Sequence, residues 1–443
     1  MKMIQQLIVT FALLLASVVN NYGQLNTRVV AQQLLGAETA DLCVQGNFAY
    51  VARGDEGMTI IDVSNPAAPV VRGTFAPFGC HSHDVEVVGT TAYVANYVGN
   101  NTGMPVVGLY MADVSDPDAP VEVGRLEWGM GAWYHLAGSS STLHVEERGL
   151  QRIAYIGSEI TGALEIFDVT VPSAAVFLET IQDPMGLSYN SKPHEAKTYG
   201  NLLVTTWVAG GFTIHDVSNP AVPVQLIHQY TAGDWIYDAA LNAAGTHLLV
   251  SHAPTGTSTV RIYNLAGLTN PVPTIALAGT YISPSAALLH NFSVSGKYAY
   301  VSSFTDGVRV LDIGNPAAPV QVGWYDTNPT TSAKSATGGY GVQVVGNNVF
   351  LSHSTGGLYV IDFVDTITIT KAEWKKGTKV LTIEATSSAA PSTTLTVAGF
   401  GAMTYSGTTG RYTLVQSGVL TKPATATVTS SIDGTATRIV IKN

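Results

Sequence analysis

The sequence predicts an all-β protein, a seven-bladed β-propeller followed by a small immunoglobulin-like β-sandwich. Three observations lead to this fold class. A segment built around an Asp or Asn recurs seven times along the 443 residues. Only 12% of the residues are charged while Val, Ile, Thr, Tyr and Gly abound, a composition typical of half-buried strands and tight turns. From Thr366 onward the repeat is absent and a segment rich in Thr, Ser and Val follows.

The N-terminal residues have the features of a secretory signal peptide. Lys2 supplies a positive charge, residues 7–19 are almost wholly apolar, and Gly23 places a small residue before Gln24. A charged start, an apolar stretch and a small residue at the cleavage point together direct export. The sequence therefore predicts a signal peptide at 1–23 and a secreted or cell-surface mature protein.

The recurring segment defines the repeat. Well-preserved copies read IIDVSNPAAPV at 60–70, MADVSDPDAPV at 111–121 and VLDIGNPAAPV at 310–320. The Asp or Asn of each copy recurs at spacings of 48 to 55 residues, at Asp62, Asp113, Asp168, Asp216, Asn264, Asp312 and Asp362. A period near 50 with several strands in each unit is typical of propeller blades.

Each repeat contains four candidate strands. An alternating run such as 84–88 turns at a Gly into a run such as 92–95, and a third strand ends at the repeated Asp. An Asn-Pro turn then leads to a fourth strand such as 70–75, where Pro is tolerated because that strand is outermost. We interpret the repeated Asp as a turn-capping residue, since Asp and Asn accept hydrogen bonds from the backbone that follows them.

The last repeat lacks a fourth strand of its own. It stops after Asp362, whereas an unassigned β-like run at 28–35 precedes the first repeat. Pairing of 28–35 beside 358–362 would close the ring and remove two exposed strand edges, which β-proteins must protect. The propeller is thus assigned to residues 24–365.

Two long phrases carry a family resemblance. GNFAYVARGDEGMTIIDVSNPAAPV at 46–70 and HNFSVSGKYAYVSSFTDGVRVLDIGNPAAPVQVGWYDT at 290–327 resemble the LVIVD-repeat proteins, which are exported bacterial chains taken to be propellers. The resemblance covers about residues 40–365. It implies a propeller and export, and it brings no defined activity.

The C-terminal residues 366–443 form a separate unit in this interpretation. Period-two stretches such as 379–384 indicate the immunoglobulin-like sandwich. Terminal β-domains of this kind often serve attachment or sorting in exported bacterial proteins, so we expect this domain to have one of these two roles.

Charge and missing motifs exclude several classes of function. The net charge is −10 and Lys and Arg form no cluster, which argues against nucleic acid or an anionic membrane surface as partner. No stretch after the signal peptide is long and apolar enough to span a bilayer. A G-x-S-x-G elbow, a phosphate-binding Gly loop and a dinucleotide fingerprint are all absent, which disfavours hydrolysis by a Ser or Cys nucleophile.

Histidines gather on one predicted face of the propeller. The residue before each first strand is His in four of seven repeats, and other His residues follow second strands or lie in loops between blades. The candidate metal ligands are His83, His144, His194 and His290, joined by His81, His252 and His353, and His135 falls on the same predicted face. Neutral imidazole is a common ligand of Zn, Cu and Fe, and consecutive blades would bring His83, His144 and His194 together. Alternatively, each ring bonds only to the neighbouring blade's backbone.

Polar and aromatic residues at the same face are candidate ligand-binding residues. They include the polar residues that follow the first-strand starts and aromatic residues that could stack on sugar or peptide, namely Asp84, Glu195, Asp238, Asn291, Trp207, Trp235, Tyr237 and Tyr340. Trp128, Trp133 and Tyr134 fall in the same predicted loops. Alternatively, the aromatic rings merely cover the channel mouth.

Two functions remain open after these exclusions. The first is a secreted or cell-surface binding module that presents propeller loops to a protein or glycan and is tethered through its C-terminal sandwich. The alternative is a metal-dependent enzyme with a histidine-rich site at the channel mouth. Copurified metal would distinguish the two functions.

The two cysteines also leave two alternatives open. Cys43 and Cys80 either form one disulfide or stay buried and unbridged.

Overall fold

The computed structural model describes residues 24–36, 38–77, 80–96, 108–126, 140–158, 162–186, 191–254, 257–285, 287–328 and 337–443. Within these ranges the chain is built of β-strands, with two short 3-10 turns at Pro172–Ala174 and Ala266–Thr269. No helix in the described part of the chain has the length and apolar character needed to cross a membrane. The all-β prediction is confirmed. The predicted signal peptide, 1–23, lies outside the described residues.

The strands of the repeats form seven antiparallel sheets in the described residues, and most sheets consist of consecutive strands. Two short strands come first, β1 (Gln24–Leu25) and β2 (Thr27–Gln33). Sheet 1 consists of β3 (Leu42–Gln45), β4 (Phe48–Ala52), β5 (Met58–Asp62) and β6 (Val70–Phe75). Sheet 2 consists of β7 (Ser82–Val88), β8 (Thr91–Asn96), β9 (Leu109–Asp113) and β10 (Val121–Leu126). Sheet 3 consists of β11 (Ser140–Arg148), β12 (Gln151–Ser158), β13 (Ala163–Asp168) and β14 (Val176–Gln182).

Sheets 4 to 7 continue the same order of inner, second, third and outer strand. Sheet 4 consists of β15 (Pro193–Tyr199), β16 (Leu202–Trp207), β17 (Gly211–Asp216) and β18 (Val224–Gln229), and sheet 5 of β19 (Asp234–Leu241), β20 (His247–Pro254), β21 (Thr259–Asn264) and β22 (Ala276–Ile282). Sheet 6 contains β23 (Phe292–Ser295), β24 (Tyr298–Ser302), β25 (Val308–Asp312) and β26 (Val320–Tyr325). Sheet 7 contains β27 (Gly339–Val345), β28 (Asn348–His353) and β29 (Gly357–Phe363).

The N-terminal strands complete the last two sheets. Strand β2 runs antiparallel to β29, with Arg28 opposite Asp362 and Gln33 opposite Leu358. The Arg28 guanidinium also forms an ion pair with Asp362. The predicted pairing of this segment is confirmed. Strand β1 pairs with β26 of sheet 6, which the sequence did not predict, so one segment covers the outer edges of two sheets.

The sheets follow one another around a ring. The inner strands β3, β7, β11, β15, β19, β23 and β27 contact each other in this order, and β27 contacts β3. Neighbouring sheets share hydrophobic cores, as where Tyr93 and Met111 of sheet 2 pack with Leu143 and Ile156 of sheet 3. Burying one such side chain contributes roughly 1.5–3 kcal/mol, so the ring is held by many equivalent contacts.

The repeated Asp or Asn caps the turn after the third strand. Its Oδ1 accepts a hydrogen bond from the backbone N–H two residues later, at 2.8 to 2.9 Å, in the pairs Asp62–Ser64, Asp113–Ser115, Asp168–Thr170, Asp216–Ser218, Asn264–Ala266 and Asp312–Gly314. The turn-capping interpretation is confirmed in these six copies. Asp362, the seventh, pairs with Arg28 instead.

The C-terminal residues form two further sheets around a core that includes Trp374 and Tyr412. Their strands are β30 (Ile367–Lys375), β31 (Val380–Ser387), β32 (Leu395–Val397), β33 (Gly401–Ala402), β34 (Thr404–Ser406), β35 (Arg411–Gln416), β36 (Thr425–Ser430), β37 (Thr435–Ile439) and β38 (Ile441–Lys442). Five strands form one sheet, in the order β34-β35-β31-β30-β38, and β33-β32-β36-β37 form the other.

The C-terminal sheets pack against the ring at sheets 6 and 7. Ala389 and Ile432 share a hydrophobic cluster with Tyr298 and Phe363, and the Tyr298 hydroxyl donates to the Ser392 carbonyl at 2.9 Å. Because Tyr298 pairs with the turn-capping Asp312, this contact lies at the end of sheet 6 that bears the capped turns.

Both cysteines are unbridged in the structure. Burial raises the pKa of the Cys43 thiol to about 12 and that of the Cys80 thiol to about 11. Both thiols are therefore protonated near neutral pH, which makes them weak nucleophiles and weak metal ligands.

Candidate functional site

The candidate site is built where each inner strand begins. There, two successive residues of the inner strand oppose one residue of the second strand. Such β-bulges re-aim side chains and are frequent next to binding sites. The seven bulge pairs, in sheet order, are Ala40-Asp41, His83-Asp84, Ser141-Thr142, His194-Glu195, Tyr237-Asp238, His290-Asn291 and Tyr340-Gly341.

Hydroxyl side chains of the second strands support these bulges. Thr206 accepts the Glu195 N–H at 3.0 Å and donates to the Tyr237 carbonyl at 2.9 Å. Ser302 links Asn291 to Tyr340 in the same way. Each hydroxyl thus satisfies the bulge of its own sheet and joins it to the bulge of the next, which positions the bulged residues rigidly.

The first residues of four consecutive bulges bring their rings together. His290 lies 4.9 Å from His194 and 5.0 Å from Tyr237 between ring centroids, and 5.2 Å from Tyr340. Phe304 packs against His290 at 4.7 Å. Trp235, 6.4 Å from Tyr237, completes the group. We call these six residues the mouth cluster: His194, Trp235, Tyr237, His290, Phe304 and Tyr340.

The imidazoles of the mouth cluster are uncharged near neutral pH. Burial, with the nearby His83 acting in the same direction, lowers the pKa of His194 to about 3. Burial also lowers the pKa of His290 well below its ordinary value, with His194 and His83 acting in the same direction. His83, His194 and His290 are therefore close enough to influence one another, across sheets 2, 4 and 6.

A cavity of about 350 Å³ lies along the inner strands. The second residues of several bulges line it, together with residues two and four positions further along the same strands, because side chains alternate with a period of two. Its polar lining residues are Asp41, Cys43, Asp84, Glu86, His144, Glu195, Lys197, Thr198, Tyr199, Asn291, Ser293 and Gln343. We call this space the channel cavity.

Carboxyl groups at the bulges satisfy backbone N–H groups of the next sheet. Asp84 Oδ2 accepts the Leu143 N–H at 2.7 Å, and Asp238 Oδ2 accepts the Phe292 N–H at 2.6 Å. An inner strand has one unpaired edge, so its N–H groups need acceptors. The Asp84 and Asp238 carboxyls therefore have a structural role.

Lys197 supplies a positive charge in the channel cavity. Its ammonium lies 2.7 Å from both carboxylate oxygens of the fully buried Asp238. Although burial opposes the charged form, Asp238 and Glu195 raise the pKa of Lys197. Alternation from Glu195 along β15 could have identified Lys197 as a lining residue. Phe304 of the mouth cluster follows β24, and no pattern in the sequence indicated that it would lie at the site.

The structure corrects the predicted position of His144. Strand β11 begins at Ser140, and the bulge of sheet 3 holds Ser141 and Thr142 rather than a His. His144 lies within the strand, with its ring nitrogens 3.1 Å from Glu86 and 2.7 Å from Thr198. Burial opposes its charged form, but Glu86 raises the pKa of His144. It thus lines the channel cavity and does not join His83 and His194 at the bulges.

The secondary histidines are dispersed. His252 is fully buried within β20, 3.1 Å from Asp234, rather than on a loop, and burial lowers its pKa to about 4. His353 ends β28, and His81 pairs with Asp55 at 2.7 Å. His135 lies outside the described residues. In the described ranges, no group of three or more His, Cys, Asp or Glu is arranged to hold a metal ion.

Seven of the eight candidate ligand-binding residues fall into three groups, and the eighth, Asp238, is fully buried in its pair with Lys197. Asp84, Glu195 and Asn291 line the channel cavity, and Trp235, Tyr237 and Tyr340 belong to the mouth cluster. Trp207 was expected in a loop, but it ends β16 and is fully buried, with its indole N–H donating to Thr213 at 3.0 Å. Trp207 is therefore a core residue. Trp128, Trp133 and Tyr134 lie outside the described residues.

Comparisons with known proteins support the repeat and the fold. The LVIVD repeat family matches residues 36–76, 79–127, 199–231 and 290–327. The chain is similar to the β-propeller domain of Cps50 (Swd1) from Myceliophteria thermophila, at 12% identity over 76% of this chain and 99% of that chain, with a TM-score of 0.55. It is also similar to a candidate 6-phosphogluconolactonase from Bacteroides fragilis, at 14% identity over 66% and 85%, with a TM-score of 0.51.

These identities are low, so the structural likeness shows a β-propeller fold and nothing about activity. No curated protein matches the chain. Function must therefore be argued from the mouth cluster and the channel cavity themselves.

Proposed function

We propose that this chain, which contains LVIVD repeats and has a β-propeller fold, is an exported binding module whose mouth cluster receives a protein or glycan ligand. In this proposal the seven sheets are the blades of one propeller closed by the N-terminal strands. The two C-terminal sheets are an immunoglobulin-like sandwich, residues 366–443, that attaches the module to the cell surface. The signal peptide 1–23 directs its export.

The observation that carries the proposal is an exposed indole beside a wall of uncharged rings. Trp235 is 54% exposed and contacts Tyr237, which in turn contacts His194 and His290. An exposed Trp next to buried aromatic rings offers a flat apolar surface with polar edges. Such surfaces stack on sugar rings or on apolar side chains of a protein partner.

The rigidity of the cluster favours binding without rearrangement. Four of its six rings, those of His194, Tyr237, His290 and Tyr340, project from bulges that Thr206 and Ser302 link in pairs by hydrogen bonds. A preorganised surface loses little conformational entropy when a ligand docks. The uncharged state of His194 and His290 also suits a neutral ligand.

The placement of the C-terminal sheets suits attachment. They contact the ring through Tyr298 and Lys297, which both donate to the Ser392 carbonyl beside the turn-capping Asp312. The bulge at His290 lies at the other end of sheet 6. A module attached through this domain would direct its mouth away from the cell surface. Mass spectrometry of the mature chain from its native host tests export, with Gln24 expected as the first residue.

A binding screen tests the function. The purified protein is applied to an array of glycans and to an array of bacterial surface proteins, and hits are measured by surface plasmon resonance. We expect Trp235→Ala to weaken binding at least tenfold, since aromatic anchors at a binding site commonly contribute 2 kcal/mol or more (~30-fold).

Tyr230→Ala is the matched control. Tyr230 is also an exposed aromatic residue, but it is not part of the mouth cluster, so its removal should leave the affinity unchanged. Equal affinities of the wild type and Trp235→Ala for every ligand found would refute the mouth cluster as the binding site.

A further inference from the structure

The channel cavity contains more carboxyl groups than cations. Lys197 is held by Asp238 at 2.7 Å, while Asp41, Asp84 and Glu195 form no ion pair with any Lys or Arg among the described residues. These three carboxyls line the same cavity and act on one another electrostatically. Their mutual repulsion would be relieved by an additional positive charge.

Asn291 provides an independent sign of a missing donor. It is 6% exposed and lines the channel cavity, and its Nδ2 donates to Asp41 Oδ2 at 2.8 Å. Because a carboxylate only accepts hydrogen bonds, the Asn291 amide must direct its Nδ2 toward Asp41. Asn291 Oδ1 is then buried without a well-formed hydrogen bond among the described residues, although the Asn291 side chain also acts on the adjacent His290 and opposes the lowering of its pKa. An unpaired buried acceptor is costly, so this oxygen calls for a donor from a ligand.

Glu195 is the least satisfied of the three carboxyls. It is 8% exposed and lines the same cavity, and its one hydrogen bond from a side chain is a long one, 3.3 Å, from the Thr142 hydroxyl. Burial raises the pKa of Glu195 well above its ordinary value. Lys197 opposes this shift, whereas Asp238, Asp84 and Asp41 add to it. A cation beside Glu195 would favour its ionised form.

We propose that the channel cavity binds a small organic cation through a primary ammonium group, with Asn291 Oδ1 accepting one of its hydrogen bonds and Glu195 and Asp84 providing the opposite charge. This site is separate from the mouth cluster and does not depend on the ligand proposed there.

Three features favour an ammonium group over a metal ion. The chain's own Lys197 ammonium already lies in this ring of carboxyls, bound to both oxygens of Asp238. No described group of three or more His, Cys, Asp or Glu is arranged for a metal, whereas an ammonium needs only separate acceptors. The cavity volume of about 350 Å³ is in the range of small-molecule pockets and exceeds what a bare ion needs.

Isothermal titration calorimetry with 1,4-diaminobutane tests this site. At pH 8, where ionised carboxyls are favoured, we expect saturable binding of the diamine to the purified protein and no binding of 1,4-butanediol, which has the same length without the charge. Glu195→Gln keeps the size of the side chain and should weaken diamine binding at least tenfold. Asn291→Leu should weaken it as well.

Glu165→Gln is the matched control. Glu165 is another buried carboxyl, 4% exposed, whose pKa burial raises to about 7, but it lies in β13 and does not line the channel cavity. Diamine binding should be unchanged in this variant. Circular dichroism checks that each variant is folded. If Glu195→Gln or Asn291→Leu does not fold, Asp84→Asn is tested in its place.

Three results would overturn the proposal. The diol could bind as tightly as the diamine, which would remove the role of charge. Glu195→Gln and Asp84→Asn could both keep full affinity, which would place the diamine elsewhere. Calcium chloride could bind saturably while the diamine does not, which would make the site a metal site.

Discussion

The mouth cluster and the channel cavity are built from adjacent residues of the same bulges, yet they differ in chemical character. The first residues of the bulges supply the imidazole and phenol rings, and the second residues supply carboxyl and amide groups. Burial lowers the pKa of His194 and raises that of Asp41. Desolvation thus drives bases and acids alike toward their neutral forms, whereas the Lys197–Asp238 pair combines both charges in this region.

The largest difference between the two regions should appear when that pair is broken. Asp238→Asn keeps the shape of the side chain but removes the negative charge beside a largely buried ammonium. Losing one partner of a buried ion pair costs about 3–5 kcal/mol. We expect the free energy of unfolding, measured by urea denaturation at pH 7, to fall by about 3 kcal/mol.

His194→Phe is the comparison for the mouth cluster. It replaces an uncharged ring by another ring, so it should cost less than Asp238→Asn. If the two substitutions destabilise the protein equally, the Lys197–Asp238 pair is not the dominant polar contact of the bulges. Lys197→Met combined with Asp238→Asn should be more stable than Asp238→Asn alone, because no unpaired charge remains.

The pH dependence of stability should have opposite signs in the two regions. Burial raises the pKa of Asp41 from 3.8 to about 6, so between these values the folded protein binds more protons than the unfolded chain. The contribution of Asp41 to the free energy of unfolding therefore falls as pH rises. Burial lowers the pKa of His194 from 6.5 to about 3. There the unfolded chain binds more protons, and the contribution of His194 rises with pH.

Two variants separate these contributions. Urea midpoints at pH 4, 5, 6 and 7 should show Asp41→Asn becoming more stable relative to the wild type as pH rises. His194→Phe should become less stable relative to the wild type over the same pH series. Parallel curves for all three proteins would show that these groups have ordinary pKa values in the folded protein.

The smallest effect is expected at the cysteines. Cys43 lines the channel cavity and Cys80 is buried near Asp55. Both thiols are unbridged and their pKa values are raised by burial. Iodoacetamide at pH 8 should label both thiols slowly in the folded protein and completely in urea, as followed by mass spectrometry. A thermal midpoint that changes on adding dithiothreitol would instead indicate a disulfide.

The sequence predicted those features that depend on short stretches of chain. The strands follow from alternation, and the role of Asp62 and its equivalents follows from an acceptor two residues before a free N–H. The pairing of β2 beside β29 was also predictable, because one repeat lacked an outer strand and one segment at the N-terminus lacked a repeat.

The prediction for His144 failed because sheet 3 has a longer inner strand than the others. Its bulge contains Ser141 and Thr142, so the His that resembles the motif lies two positions further along the strand. Trp207 was misplaced for a related reason: the second strand of sheet 4 extends to it, which brings the indole into the core. Alternation alone does not show where a strand begins or ends.

By itself, the sequence determined the all-β class, the repeat with its capped turns and the segment that covers the last sheet, because each depends on residues close together in the chain or on counting copies. The tertiary structure decided which side chains meet. The contact of His194 with His290, the Lys197–Asp238 pair and the bond from Asn291 to Asp41 join different sheets. Such contacts depend on the bulges, which aim the side chains, and on ring closure, which brings distant sheets together.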